Sequence, residues 1–570
     1  MAPLTRRAVV AGIAGGLAGI HVSLVGIVGT FQTRELISGI VTIGTVLPML
    51  IALLIGWYAG RTPRTSTEHP TASRILFHGA IAGAIIGVTL AVLAFVVDTF
   101  SLNWILVNAR PQLAALLRFD LDPVVGSLVL AGAFTLLGMA GATLHLLPGT
   151  IARAISIGLI VTVIASLMEP FVAAVLRNIG LRFLEELLYT RGGLTLPGFI
   201  IVFALVSGIT YGWVTRGSRV RAQTAAWPDD RRRTAKIVVY LATIGLLLLL
   251  PQIVGSRLSE VIGTVGLYVL LGLGLNIVVG FAGLLDLGYV AFFAVGAYTT
   301  ALFTSPASPV FTPELPFWGA LPFVIMAAAL IGLAVGAPVL RLRGDYLAIV
   351  TLGFGEIARE IFKSAWAQPV TGGAQGILSI PEPLPFTRDP QSIYYPILFF
   401  CILAAIGATT LATSRVGRAW NAMREDETVA EATGVNTVTY KLLAFGLGAA
   451  FGCLSGAFFA GKIGVVFPDS FNILVSINAL ALIILGGMGN IAGVVLGAFV
   501  LVGLPELLRE FAEYRLLIYG AVLVAMMLLR PEGLLPSRAR RAELHERADD
   551  DEEIYEQESG EETGRPVVSS

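Results

Sequence analysis

The chain has 570 residues, 56% of them hydrophobic and 13% charged, with no net charge and a mean hydropathy of +0.82. A soluble domain carries nearer a quarter charged residues, so a water-soluble enzyme or nucleic-acid-binding module is excluded. Apolar runs of about 20 residues recur from end to end and alternating ten-residue strands do not, which leaves a helical bundle and not a barrel. The expected fold class is all-α: a polytopic transmembrane bundle of about 16 candidate spans.

The start, MAPLTRRAVVAGIAGG, is basic and then apolar as far as residue 29. That is long enough to span, so a retained first helix is expected and not a cleaved signal. Six spans are read before residue 215: 8–29, 36–60, 75–97, 124–147, 151–175 and 196–214. Residues 177–191, RNIGLRFLEELLYTR, read as one short interfacial amphipathic helix. This first unit, 1–214, carries no motif that names a role.

Residues 215–236, TRGSRVRAQTAAWPDDRRRTAK, form the densest basic stretch, with Pro228 and no apolar periodicity. They read as a cytoplasmic linker before a second membrane unit, 237–536. Ten spans follow, at 237–254, 261–279, 284–303, 317–340, 347–362, 393–413, 442–460, 473–487, 491–508 and 516–529. The 347–362 and 473–487 runs are weak enough to be half-spanning or re-entrant. Small-xxx-small pairs such as Gly332/Gly336, Gly452/Gly456 and Gly493/Gly497 are expected to let helix backbones approach. Cys401 and Cys453 lie in apolar runs and read as buried thiols; no metal-ligand spacing occurs. Residues 537–570 form a charged tail. Its 543–570 portion holds 11 of the 38 acidic residues and 2 basic ones, leaving 36 basic against 27 acidic elsewhere, and it reads as a solvated, disordered terminus.

With the N-terminus inside, every dense basic cluster falls on one face: residues 6–7, 61–74, 215–236, 341–343, 415–424 and 538–541. The positive-inside rule therefore predicts both termini in the cytoplasm.

Four blocks carry chemistry. Residues 266–303 pair two apolar helices around a hinge at 281–288 and place Asn276, Asp286 and Tyr289 within it. A charge at membrane depth is costly and usually faces a cavity or a partner, so Asp286 is either a pathway residue or the cap of the next helix. Residues 341–362, RLRGDYLAIVTLGFGEIAREIF, include Thr351 and Glu356. The turn Thr371, Gly372, Gly373, Gly376 is of a kind that exposes backbone N–H groups able to hold a carboxylate, or it is an ordinary outer turn. Finally, SRVGRAWNAMREDETVAEATGVN is a polar, helix-prone island between two apolar runs; Glu425, Asp426 and Glu427 open its helix and Gly434 closes it. The G-x4-G-K spacing from Gly456 to Lys462 is no phosphate loop, because Ile463 replaces Ser/Thr and the run lies in a span.

These blocks resemble the branched-chain amino acid ABC transporter permease family, the LivM-type subunit, over roughly 255–535. Ala282, Gly283, Leu284, Leu287, Gly288, Ala291, Phe292, Gly296, Ala297 and Tyr298 fit its AGLxSLGxxAFxxxGAY pattern, with Asp286 where the family usually has Ser and Tyr289 where it often has His. Gly344, Tyr346, Thr351 and Glu356 fit RxRGxYFAIxTLAFxE, and residues 371–377 resemble its TGGxxGI loop. The resemblance implies a permease that catalyses nothing and holds no cofactor or metal, with ATP–Mg on two partner ATPase subunits. It also implies a homologous second permease, an extracytoplasmic binding protein and a prokaryotic plasma membrane. Gly417, Arg418, Arg424, Glu425, Glu427, Glu431, Ala432 and Gly434 would form the ATPase-coupling loop, with Ala430 and Ala432 on its amphipathic face. Asn276, Asp286, Tyr289, Thr351, Glu356, Thr371, Gly372, Gly373, Gly376 and Gly487 would line the translocation path. Branched-chain amino acids are the implied cargo. Urea or short amides, and an ATP-independent carrier or channel, are the alternatives.

Overall fold

Contacts divide the chain into two units, Met1–Leu246 and Leu247–Ser570. The structure is a computed structural model that describes residues 3–61, 71–100, 102–190, 192–309, 313–339, 342, 344–384, 390–507, 520, 521, 523, 524, 526 and 533–536. Most of the 516–529 span, Arg341, Arg343 and the 537–570 tail fall outside the described residues.

In the first unit, α1 (Pro3–Leu24) and the short α2 (Ile27–Thr30) lead into a hairpin, β1 (Glu35–Ile37) and β2 (Val41–Thr42). Three helices then build the core: α3 (Ile43–Gly60), α4 (Ala72–Thr99) and, after the short α5 (Pro111–Leu117), α6 (Pro123–Thr143). Glycines let them cross closely. A Cβ on Gly12 would sit 3.0 Å from the Ile85 side chain, and Cβ atoms on Gly56, Gly79 and Gly83 would collide with backbone carbonyls of α6. Arg118 is buried at 3% exposure and pairs with Asp98 at 2.9 Å. Next come α7 (Gly149–Leu167), α8 (Glu169–Asn178) and α9 (Arg182–Leu188), then a second hairpin, β3 (Tyr189–Thr190) and β4 (Gly193–Leu194), and α10 (Leu196–Ala225).

The two hairpins join as a four-stranded sheet in the order β2-β1-β4-β3, with β1 and β4 parallel. This corrects two expectations. The 177–191 segment is not one helix: Gly180, at φ 85, separates α8 from α9, and residues 189–190 are a strand. The 36–60 span starts only at Ile43, because the residues before it are in the hairpin. Pairing between segments over 150 residues apart leaves no periodic trace in either short stretch.

The basic stretch expected to be a linker is largely helical, with α10 running to Ala225 and α11 (Asp229–Leu275) starting at Asp229. The unit boundary falls after it, inside α11. Gly255, at φ 78 and ψ 176, breaks α11 where the sequence expects two spans. A π-helical turn, Asn276–Phe281, follows, and then α12 (Val290–Thr304), α13 (Phe317–Val339), α14 (Asp345–Lys363) and the single turn α15 (Gln368–Thr371). The second unit continues with α16 (Pro390–Thr413), α17 (Arg415–Glu425), α18 (Glu427–Ala432), α19 (Thr437–Ile463), α20 (Ile473–Gly486), α21 (Ile491–Ala498) and α22 (Leu504–Leu507).

Buried α12 and α19 form its centre. Cβ atoms on Gly296 and Gly456 would strike the carbonyls of Cys453 and Phe293, so the two backbones touch. Gly332, Gly336, Gly452, Gly493 and Gly497 likewise sit against neighbouring helices.

Among the described residues eleven helices are long and apolar enough to cross a membrane, with Val290–Thr304 and Ile491–Glu506 shorter apolar helices. The shortfall from 16 has identifiable causes. The runs 237–254 and 261–279 follow one another in a single stretch broken only at Gly255, and 516–529 is largely undescribed. Run 347–362 carries Glu356, Arg359 and Glu360, and 284–303 and 491–508 are only partly regular α-helix. The chain is an all-α, multi-pass membrane protein.

Candidate functional site

The polar island folds as two helices, and local chemistry dictates both. Ser414 caps α17, its Oγ accepting from the N–H groups of Val416 (3.1 Å) and Gly417 (3.3 Å). Asp426 caps α18 through Oδ1, which accepts from Thr428 (2.7 Å) and Val429 (3.0 Å). Gly434 ends α18 at φ 91, a left-handed position, and the Val435 N–H donates back to the carbonyl of Ala430. Asn436 then caps α19. A Cβ on Gly417 would run into the carbonyls of Leu411 and Ala412, so the turn from α16 into α17 leaves no room for a side chain.

One face of this pair is fastened to the bundle. Trp420 is fully buried and donates from Nε1 to the carbonyl of Tyr440 (2.9 Å). Arg424 donates to the carbonyl of Gly280 (3.0 Å), and its stem lies where a Cβ on Gly283 would be, 2.6 Å away. Glu427 pairs at 2.6 Å with Lys441, which is only 2% exposed. Ala430 is buried among these groups. The opposite face is open: Arg418, Glu425, Glu431 and Ala432 are exposed, and Val429 is 58% exposed. Ala430 and Ala432 therefore do not share a face, as expected of residues about 200° apart on a helix. Arg424 and Glu427, which the resemblance places in the coupling loop, point inward. Val429, which the sequence reading passed over, supplies the apolar centre of the outer face.

The expected pathway residues separate into two groups. Asn276, Asp286, Tyr289, Thr351 and Gly487 gather around the start of α12. Asn276 is fully buried, and its Oδ1 accepts from the Gly489 N–H (2.9 Å), linking the π-turn to the Gly487–Asn490 break between α20 and α21. Asp286 is 1% exposed; Oδ1 accepts from the Gly288 N–H (2.9 Å), while Oδ2 is buried with no hydrogen-bond partner among the described residues. It holds the turn before α12 and does not cap the helix; that is done by Ser476, whose Oγ accepts from the Val290 N–H (2.9 Å). Thr351 accepts from the Leu287 N–H (3.1 Å), and the Tyr289 hydroxyl donates to the carbonyl of Gly448 (2.6 Å). Four helices, α12, α14, α19 and α20, thus meet at one irregular segment. Residues 534–535 close the Gly487 break with N–H bonds to the carbonyls of Leu485 (2.8 Å) and Gly486 (2.9 Å).

Glu356 lies outside this group, paired with Arg359 at 3.0 Å. Thr371, Gly372, Gly373 and Gly376 lie by the far end of α19, where Ile377 and Val466 exchange hydrogen bonds. At 27 residues and about 1.5 Å per residue, α19 spans roughly 40 Å between this turn and α18. Four N–H groups of the turn are already engaged. The Gly372 N–H donates to Gln368, Gly373 to Thr371 Oγ1, Gly376 to Gly373 and Ile377 to Val466. Of the two readings of this turn, these bonds favour the ordinary one.

The family described as "Branched-chain amino acid transport system / permease component" matches residues 257–529. The chain is 41% identical over 330 residues to the high-affinity branched-chain amino acid transport system permease protein LivM of Escherichia coli (strain K12), covering 53% of this chain and 76% of that protein. The chain belongs to the branched-chain amino acid ABC transporter permease family. It is LivM-type, and it is the permease subunit of an ABC importer. A probable LivM of Methanocaldococcus jannaschii is 24% identical over 319 residues, 48% of this chain and 91% of that one. The Escherichia coli permease LivH is 30% identical over 148 residues, 25% of this chain and 47% of LivH. No solved structure matches significantly. The family match takes in the π-turn, the α20–α21 break and the α17–α18 pair, and begins beyond the first unit.

Proposed function

We propose that the chain carries branched-chain amino acids through the membrane and is driven by two ATPase subunits that grip the exposed face of α17–α18. The observation that carries this reading is the bond from Arg424 to Gly280. A push or pull on the outer face, at Arg418, Glu425, Val429, Glu431 and Ala432, reaches the π-turn through that guanidinium and the base of α19 through Glu427–Lys441. From the π-turn, Asn276 relays it to the α20–α21 break. Irregular backbone at membrane depth commonly lines the transport path, so this cluster is the moving part of an alternating-access cycle. ATP–Mg binds and is hydrolysed on the partners.

The resemblance to both LivM and LivH supports a second, homologous permease in the complex, fed by an extracytoplasmic binding protein. The basic clusters support a cytoplasmic α17–α18 and cytoplasmic termini. The names of the relatives favour branched-chain amino acids over urea or short amides.

Proteoliposomes holding the chain with its partners test this by uptake of labelled leucine against ATP, binding protein and excess urea. Uptake dependent on both ATP and binding protein and unaffected by urea is expected. Leucine uptake without ATPase subunits would sink the proposal.

A further inference from the structure

We propose that the crevice between the start of α1 and the end of α3 binds one anionic phospholipid. It is an open crevice of about 810 Å³, with Arg6 and Arg7 at one end and Val10, Ala14 and Ile55 along its walls, beside Tyr58. Arg7 is held in place. Its guanidinium lies 4.3 Å over the centre of the Tyr58 ring and donates to the carbonyl of Arg61 at 3.3 Å. That bond takes one of the five N–H groups of a guanidinium fork that matches phosphate oxygens in pairs.

Among the described residues no carboxylate lines the crevice, and its mouth carries two guanidinium charges. Below the arginines the lining is apolar: Val10 and Ala14 stand one helical turn apart on α1, and both are exposed. A soluble anion would satisfy the arginines and leave that wall bare. A phosphodiester joined to an acyl chain satisfies both parts. Both arginines immediately precede the apolar run of α1, the depth of the lipid headgroups. Basic pockets between membrane helices are known to hold anionic headgroups. The first unit, which lies outside the permease match, thereby acquires a chemistry of its own.

Native mass spectrometry of the full-length chain, with thermal unfolding in parallel, tests this using phosphatidylglycerol, phosphatidylcholine and inorganic phosphate as separate probes. One retained phosphatidylglycerol and a midpoint raised by that lipid alone are expected. Each basic residue at an anionic headgroup contributes about a factor of five, so R6Q/R7Q should weaken retention about thirtyfold. Ala14→Trp fills the apolar wall without touching charge, so it decides the matter if the double variant misfolds; it too should lose the lipid. Equal retention of both lipids, unchanged retention in either folded variant, or equal stabilisation by phosphate would overturn the proposal.

Discussion

Arg424, on the surface-facing helix α17, donates to the backbone carbonyl of Gly280, 144 residues earlier in the chain, at 3.0 Å. Its stem fills the space over Gly283, where a Cβ would lie 2.6 Å from Arg424 Cγ. A hydrogen bond from a charged group is worth about 1.5–3 kcal/mol. Arg424→Ala should therefore leave the complex assembled and hydrolysing ATP while uptake falls at least about tenfold, by the same energy scale. Uptake and hydrolysis measured on one preparation check this; a parallel fall in both would point to lost assembly instead.

The Glu427–Lys441 pair gives a stability test. Removing one partner of a buried ion pair typically costs about 3–5 kcal/mol, because the other charge stays buried and alone. Since Lys441 is the more buried member, Glu427→Ala should destabilise strongly, and adding Lys441→Met should restore most of the loss. Thermal unfolding of the two variants reads the difference directly.

Glycines 417 and 434 should respond to different properties of the substituent. Nothing lies within 4 Å of a Cβ on Gly434, so only its φ of 91 penalises a side chain. Gly434→Asn is expected to keep uptake, because Asn tolerates the left-handed region, and Gly434→Val to lose it. At Gly417 even Ala should disrupt the α16–α17 turn, since the obstruction is backbone. Uptake at equal membrane levels separates the two cases.

Asp286 uses one carboxylate oxygen to hold the Gly288 N–H. Asp286→Ser keeps an acceptor for that turn and removes a buried carboxyl group, so it should fold and transport. Asp286→Ala leaves the N–H unpaired at a cost of about 1–3 kcal/mol. Loss of transport in a well-folded Asp286→Ser variant would instead assign the carboxylate a direct part in transport.

Glu169, beyond the end of α7, has its carboxyl raised above its usual range by burial, against the opposing pull of Arg34, its partner at 3.4 Å. The folded chain therefore holds this proton at a pH where the unfolded chain has released it. Stability from this group is gained as pH falls through the folded value and lost as pH rises through it. Glu169→Gln should flatten the difference in unfolding midpoint between pH 4.5 and pH 7, roughly the window set by the ordinary carboxylate range.

Much of the second unit was legible in the chain because its signals are local. Apolar run length marks membrane helices, the Gly-rich blocks carry the family pattern, and Ser414, Asp426 and Asn436 cap their helices by bonding N–H groups two or three residues on. Charge and apolar length alone determined that this is a polytopic helical membrane protein with a polar island between α16 and α19. The tertiary structure alone decided which face of that island is buried. It also decided that the 371–377 turn gives its N–H groups to its own chain and to Val466, and that hairpins over 150 residues apart form one sheet. The physical reason is the same in each case: the deciding partner is a backbone carbonyl or a packed side chain distant in sequence, and neither composition nor spacing records which distant groups folding brings within about 3 Å of each other.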